Sequence, residues 1–276
     1  MKKFLKGLVI VALIGILAHL WCATQLDTEN WLVASSRVPE AFDGFRITLL
    51  TDLHGDTFDD GNEKLLQNVE AASPDLIAIS GDLVDEYGDP EKMQPLLQAL
   101  TKIAPVCYVT GNHEWVREDT EQVLDLIESC GVTVLRNQWY VLERDGQCIV
   151  IAGKEDPNGY ADQMTASQLV DRIREQVPSD PYIIMINHRN NELDLWAQQN
   201  VDLVLAGHGH GGVIRLPFVG GLLSVERSLF PDDCEGIYTK GRTVLAVSRG
   251  LGGVRVWNSP HLPTIVLDAD ESVNDS

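Results

Sequence analysis

Arg46-Ile47-Thr48-Leu49-Leu50-Thr51-Asp52-Leu53-His54 decides the fold. Its first five residues read as a buried strand, too short for an amphipathic helix. A carboxylate and an imidazole follow at once. The same event recurs four times: Asp75-Leu76-Ile77-Ala78-Ile79 leads to Gly81-Asp82, Val106-Cys107-Tyr108-Val109 to Gly111-Asn112-His113-Glu114, the run from Tyr182 to Ile186 to Asn187-His188, and the run from Val201 to Leu205 to Gly207-His208-Gly209-His210. Five of the seven histidines fall in these clusters. Imidazole, carboxylate and carboxamide gathered at strand ends are what a metal site built on a sheet requires.

Helical patterns separate the strands. Asn62 reads as the cap of a helix with Leu65, Leu66 and Val69 on one face, and Asp89-Pro90 as the opening of another, in which Pro95 forces a kink or a later start. A third helix runs from about Glu118 to Ser129. After Gly131 the pattern turns to a hairpin, Tyr140-Val141-Leu142 and Cys148-Ile149-Val150-Ile151 around Asp145-Gly146. Thr165 and Gln168 form a capping-box signature, and strands at Val213 to Leu216, Thr243 to Val247 and Thr264 to Leu267 close the chain. The expected fold is α/β: two mixed sheets packed face to face with helices outside, preceded by an N-terminal membrane helix.

The 276 residues, 44% of them hydrophobic, suffice for one large globular domain. We expect it over residues 45–268, after a linker at 24–44 and before an acidic, disordered tail at 269–276. The 41 acidic against 21 basic side chains give a net charge of -20, which argues against a nucleic-acid polymer as partner. Residues 1–23 stand apart: Lys2, Lys3 and Lys6 precede an apolar run from Gly7 to Ala23 broken only by His19. That run is near the lower end of the roughly 17–25 residues a spanning helix needs. Trp21 and Cys22 crowd the place where a signal peptidase would cut, so we expect a membrane anchor, with secretion after cleavage as the alternative. The lysines put the N-terminus inside and the domain on the extracytoplasmic side. Of the five cysteines none shows a zinc spacing, and Cys107 and Cys148 sit in strand-like runs as small buried hydrophobes.

The ordered set D-x-H, G-D, G-N-H-E, lone His and G-H-x-H resembles the signature of the calcineurin-like metallophosphoesterase superfamily, over about Phe45 to Leu267. The resemblance implies the four-layer sandwich of that family and a phosphoesterase with two divalent or trivalent cations per chain, manganese, iron or zinc. By its pattern Asp52, His54 and His210 would bind the first, Asn112, His188 and His208 the second, and Asp82 both. A hydroxide bridging the cations would attack the phosphate, and His113, not a ligand, would protonate the leaving oxygen. Glu114 reads as a residue behind the ligands or as part of the loop. His19 and His261 fall outside the pattern.

Gly207 to Val213, Gly236-Ile237-Tyr238 and Ser248-Arg249-Gly250-Leu251-Gly252 also resemble a membrane-anchored bacterial branch, the YkuE and YaeI type. Gly209 and Val213 stand where that branch has Thr and Gln, departures that remove no ligand. A phosphodiesterase acting on a lipid-linked or cell-envelope phosphate ester is the expected activity. A soluble nucleotide or nucleotide-sugar phosphohydrolase, and a non-catalytic metal-binding interaction protein, are the alternatives. Arg227, in a loop with Leu222, Leu223, Leu229 and Phe230, is a candidate phosphate contact. Arg249 reads equally as a phosphate contact or a structural ion pair.

Overall fold

A computed structural model describes residues 2–58, 61–177, 180–216, 219–225 and 227–269. The expected acidic tail lies outside them from residue 270 on. In chain order the strands are β1 (Asp27–Ala34), β2 (Arg46–Leu50), β3 (Leu76–Ser80), β4 (Val106–Val109), β5 (Thr133–Val134), β6 (Gln138–Arg144), β7 (Gln147–Gly153), β8 (Tyr182–Ile186), β9 (Leu203–Ala206), β10 (Ile214–Leu216), β11 (Gly220–Leu223), β12 (Gly236–Lys240), β13 (Thr243–Val247) and β14 (His261–Asp268). The helices are α1 (Lys2–Thr24), α2 (Glu63–Ala72), α3 (Gln94–Ile103), α4 (Asn112–Val116), α5 (Thr120–Ser129), α6 (Ala166–Gln176) and α7 (Leu193–Gln198).

Two six-stranded sheets carry the domain, one in the order β1-β14-β2-β3-β4-β5 and the other β12-β13-β9-β8-β7-β6. Within the first, β2, β3 and β4 are parallel, and within the second so are β7, β8, β9 and β13. Their inner faces meet in a core of Ile47, Leu49, Ala78, Val109, Ile149, Ile151, Ile184, Ile186, Leu203 and Leu205. The alternate residues of the same strands, Leu50, Ile77 and Ile79, face α2, α3 and α5 on one outside, and Val150, Ile183, Met185 and Val204 face α6 and α7 on the other. Strands covered on both faces are apolar at nearly every position, which is why they read as near-continuous runs; the buried Thr48 of β2 is satisfied by Thr264, Oγ1 to Oγ1 at 3.0 Å. The expected sandwich is the observed one.

Local chemistry accounts for several boundaries. Asp145 and Gly146 both take positive φ, the requirement of the tight turn joining β6 to β7. Thr165 and Gln168 form the reciprocal cap of α6. Pro95 delays its helix: the Asp89 carboxylate caps a single 3-10 turn at Pro90–Met93, and α3 starts only at Gln94.

Two expectations are corrected. Residues 24–44 are not a plain linker, because β1 lies within them and pairs in parallel with β14 along its length. Its exposed, charged alternation Asp27-Thr28-Glu29-Asn30 hid an edge strand, which has one side open to solvent. Asn62 does not cap α2 with its side chain; it sits in the left-handed region and its carboxamide oxygen accepts from the Phe58 N–H at 2.9 Å. The paired edge of the domain thus begins at Asp27, three residues beyond the end of α1.

Candidate metal centre

All five clusters stand at the carboxyl ends of parallel strands, β2, β3 and β4 in one sheet and β8 and β9 in the other. Packing the sheets face to face brings these ends together. The His208 N–H donates to both oxygens of Asp52, at 3.0 and 3.2 Å, across the two sheets. Gly207 makes that approach possible, since a Cβ there would overlap Thr51 Oγ1 and lie 2.5 Å from Asp52 Oδ2. Asp52, His54, Asp82, His208 and His210 all have φ between 50° and 64°. Only Asn, Asp and His tolerate that region at all readily among non-glycines, and it costs of order 1–3 kcal/mol a residue. The chain leaves β2, β3 and β9 by such left-handed steps, which turn these side chains into the cleft, whereas no residue of the clusters after β4 and β8 takes positive φ.

Two donor groups result, the ligand atoms in each lying within 4.8 Å of one another: Asp52, His54 and His210, and Asp82, His188 and His208. In the first, His210 Nε2 is 3.3 Å from His54 Nε2 and 3.6 Å from Asp52 Oδ1. In the second, His188 Nε2 is 3.3 Å from Asp82 Oδ2 and 3.1 Å from Asn112 Oδ1, while its Nδ1–H donates to Ser80 O at 2.8 Å. A backbone carbonyl holding one imidazole nitrogen and aiming the other inward is the usual outer support of a metal-binding histidine. Asp82 Oδ2 also lies 4.0 Å from His54 Nε2, so this carboxylate faces both groups.

His113 lies on α4, its side chain a third exposed, with Nε2 4.0 Å from Asp82 Oδ2. Its Nδ1 approaches Asp85 Oδ1 to 2.6 Å, an ion-pair distance whose alignment is poor for a hydrogen bond. His54, Asp85 and His113 form a third group of possible donors. Glu114 is buried beneath: its carboxylate accepts from the backbone N–H of Gly111 at 2.7 Å, Asp82 at 3.0 Å and Val84 at 3.2 Å. It ties the loop after β3 to the loop after β4.

The electrostatics suit cations. Burial pulls His208 down to about 3 and His210 down to about 4, keeping both imidazoles neutral. Burial works against ionisation of Asp82, but His188 opposite holds it well below the usual carboxylate range. Burial likewise works against the charged form of His188, and the Asp82 carboxylate lifts it to about 10. A cation here would displace that proton, as metal binding to imidazole does. The residues fit: hard oxygen and imidazole donors, without thiolate, around one central carboxylate.

The two arginines fare differently. Arg249 is buried, with Nη2 2.7 Å from Asp27 Oδ2 and Nη1 3.0 Å from Glu235 Oε2. The geometry is that of an ion pair, in which β1 supplies a carboxylate that the sequence neighbours of Arg249 do not. Arg227 is exposed in a loop that borders His208 through Ser224 and Ser228, around a cavity of about 190 Å³ that Arg227 itself does not line. His261 is buried against Trp31, and His19 accepts from the Trp257 N–H.

Sequence reasoning missed Asp85, Asp156 and Arg189. The Arg189 guanidinium grips the buried Asp156 carboxylate through Nε at 2.6 Å and Nη2 at 3.0 Å, and its Nη1 is 3.0 Å from His208 Nε2. The available signal was that β7 also ends in a polar cluster, Lys154-Glu155-Asp156, and that an arginine directly follows His188.

Residues 45–212 match the Calcineurin-like phosphoesterase family. The uncharacterized metallophosphoesterase YkuE of Bacillus subtilis is 31% identical over 240 residues, 84% of this chain and 80% of that protein. A transmembrane protein with metallophosphoesterase domain from Danio rerio is 26% identical over 221 residues, 76% of this chain and 50% of that one. Among solved structures, a dimetal phosphatase from Danio rerio overlaps at a TM-score of 0.48 with 13% identity, over 83% of this chain and 94% of that one. The chain belongs to the calcineurin-like phosphoesterase family, hydrolases of phosphate esters that use divalent metal ions.

Proposed function

We propose that this protein is a phosphodiesterase with a dinuclear centre, acting on a lipid-linked or cell-envelope phosphate ester. The observation that carries the dinuclear reading is Asp82, whose Oδ2 faces His188 at 3.3 Å and His54 at 4.0 Å. A carboxylate shared by two donor groups is what two neighbouring cations need. Asp52, His54 and His210 hold one, Asn112, His188 and His208 the other. Manganese, iron and zinc all accept such donors. Bound cations of this kind make water acidic enough to attack and draw charge from the phosphoryl oxygens.

The chain's own residues do the rest. His113 reaches the open side of the cleft, its Nδ1 2.6 Å from Asp85 Oδ1, and its Nε2 is the group that passes a proton to the leaving oxygen. Glu114 keeps Asp82 and the Asn112 turn in register.

The lipid-linked part of the reading rests on α1. Its segment Phe4–Cys22 has a mean hydropathy of 2.1 and is long and apolar enough to cross a membrane. Trp257 Nε1–H donates to Gly15 O at 2.8 Å, docking this helix on the domain. Between them lies a cleft of about 800 Å³ lined by Gly15, Ala18, Cys22, Leu216, Val219 and Trp257, with Arg215. The β10-β11 ribbon that forms its wall leaves directly from the His208–Gly212 turn. An anchor in this place keeps the catalytic cleft at the bilayer surface, and the positive residues before it put the domain on the extracytoplasmic side.

The test is hydrolysis by the full chain loaded with manganese, on a vesicle-bound phosphodiester, bis(p-nitrophenyl) phosphate, p-nitrophenyl phosphate and soluble nucleotides, with Asn112→Ala beside it. Faster diester than monoester turnover, lost in the variant, supports the class, and preference for the vesicle substrate supports the lipid link. Preference for soluble nucleotides selects the nucleotide phosphohydrolase, and metal uptake without hydrolysis of any ester selects a non-catalytic role.

A further inference from the structure

We propose that Arg189 is a substrate-binding residue, a fixed cation beside the metal ligands that engages a phosphoryl oxygen of the ester; the inference rests on the phosphoesterase reading above. Arg189 directly follows His188, at the mouth of the strand-end cleft, and its side chain is largely but not wholly covered. Burying a guanidinium is costly unless it is paired, and here the pairing is one-sided by design of the fold. The Asp156 carboxylate, itself buried at the end of β7, takes Nε and Nη2 in a two-point fork. That fork uses two of five N–H donors and fixes the plane of the group.

The third donor, Nη1, meets His208 Nε2 at 3.0 Å. Arginine can only donate, so His208 Nε2 accepts there with a lone pair. A neutral imidazole has one such lone pair, its other nitrogen carrying the proton. A cation held by His208 claims that lone pair if it binds at Nε2. If it binds at Nδ1, the proton moves to Nε2 and two N–H groups then face each other. Either arrangement ends the Arg189–His208 bond and leaves Nη1 without an acceptor. The fork on Asp156 is untouched, so the guanidinium stays where it is. An oxygen of a phosphate ester entering the cleft is the anionic acceptor of matching geometry, and Nη1 and Nη2 each keep a free N–H for it.

A merely structural arginine would serve only to neutralise Asp156. That role does not require Nη1 to face the imidazole of a metal ligand, and the pair Arg249 with Asp27 and Glu235 shows how the same fold buries an arginine among carboxylates.

The experiment compares the manganese-loaded full chain with Arg189→Gln, Arg189→Lys and Asp156→Asn. Metal content per chain, inhibition by inorganic phosphate, and kcat and KM on bis(p-nitrophenyl) phosphate are read. Loss of a charge-assisted hydrogen bond of this kind corresponds to about 10- to 100-fold. We expect Arg189→Gln to keep its metal, to weaken phosphate inhibition by that factor and to lose kcat/KM similarly. Arg189→Lys, which keeps the charge but not the fork, should recover part, and Asp156→Asn should show a smaller loss of phosphate inhibition. Unchanged phosphate inhibition in Arg189→Gln overturns the proposal, whether metal content holds or falls, since the residue then acts on His208 or on folding alone. A wild type that takes up manganese but neither hydrolyses the diester nor binds phosphate would instead remove the phosphoesterase reading itself.

Discussion

Asp82 Oδ2 stands 3.3 Å from His188 Nε2, linking the residue that follows the β3 glycine in one sheet to the residue that ends the β8 turn in the other. Neither sheet alone forms this contact. Its chemistry is a carboxylate held ionised against a buried imidazole, with Asn112 Oδ1 completing the donor set.

Asp82→Asn keeps the shape of that side chain and removes its charge. Altering residues that only support a ligand costs about 10- to 100-fold in affinity or activity, so loss of the shared ligand should cost at least about 100-fold in diester hydrolysis. Metal content per chain should fall with it. Activity within a few-fold of the wild type would show that Asp82 does not join two cations.

Glu114→Ala leaves three buried N–H groups, of Gly111, Asp82 and Val84, without acceptors. Each unsatisfied group costs about 1–3 kcal/mol, which for a domain this size is a drop of roughly 5–10 °C or more in melting temperature. Glu114→Gln, with one acceptor oxygen retained, should fall between. Calorimetry of the three metal-loaded proteins checks the order, and equal melting temperatures would contradict it.

Gly207→Ala adds one methyl group where Thr51 Oγ1 already stands and beside Asp52 Oδ2. Relief requires the β9 turn to move away from Asp52, breaking the His208 N–H bonds to that carboxylate. Both metal content and activity should drop although no ligand has been changed. A crystal structure of the variant with the His208–Asp52 bonds intact would refute this.

Acid should weaken the fold through exposed carboxylates paired with arginine. The bond from Arg136 holds Glu121 below the ordinary glutamate value, against the opposing effect of burial and with help from Tyr160. A carboxylate lowered in the folded state contributes stability above its unfolded pKa of about 4.3 and loses it as pH falls through the lowered value. Because Glu121 is largely exposed the contribution is modest, at most about 1 kcal/mol. Urea midpoints at pH 6 and pH 3 should converge slightly in Glu121→Gln relative to the wild type; identical pH dependence would exclude the pair as a source of acid sensitivity.

The strands and the clusters after them were legible because their rules are local. A short apolar run such as Leu76-Ile77-Ala78-Ile79 must be covered on both faces wherever it goes, and the polar Gly81-Asp82 marks its end. β1 was not legible, since its outer residues are polar and its partner, β14, lies at the far end of the chain. Nor was the role of Arg249, whose acceptors Asp27 and Glu235 come from distant segments. Asn62 misled for a related reason: a residue favoured at helix caps is equally favoured in the left-handed region, and only the course of the preceding loop chose between them.

By itself the sequence determined which donors this protein has, in what order, and that each follows a buried strand, because apolar pattern and side-chain chemistry are properties of neighbouring residues. Only the tertiary structure decided which donors share a cation-sized space, that Asp82 faces both groups, and that Asp156 turns Arg189 toward His208. Those relations depend on how two twisted sheets register against each other, and on left-handed turns at Asp52, His54, Asp82, His208 and His210 that packing sustains and propensity alone would not select.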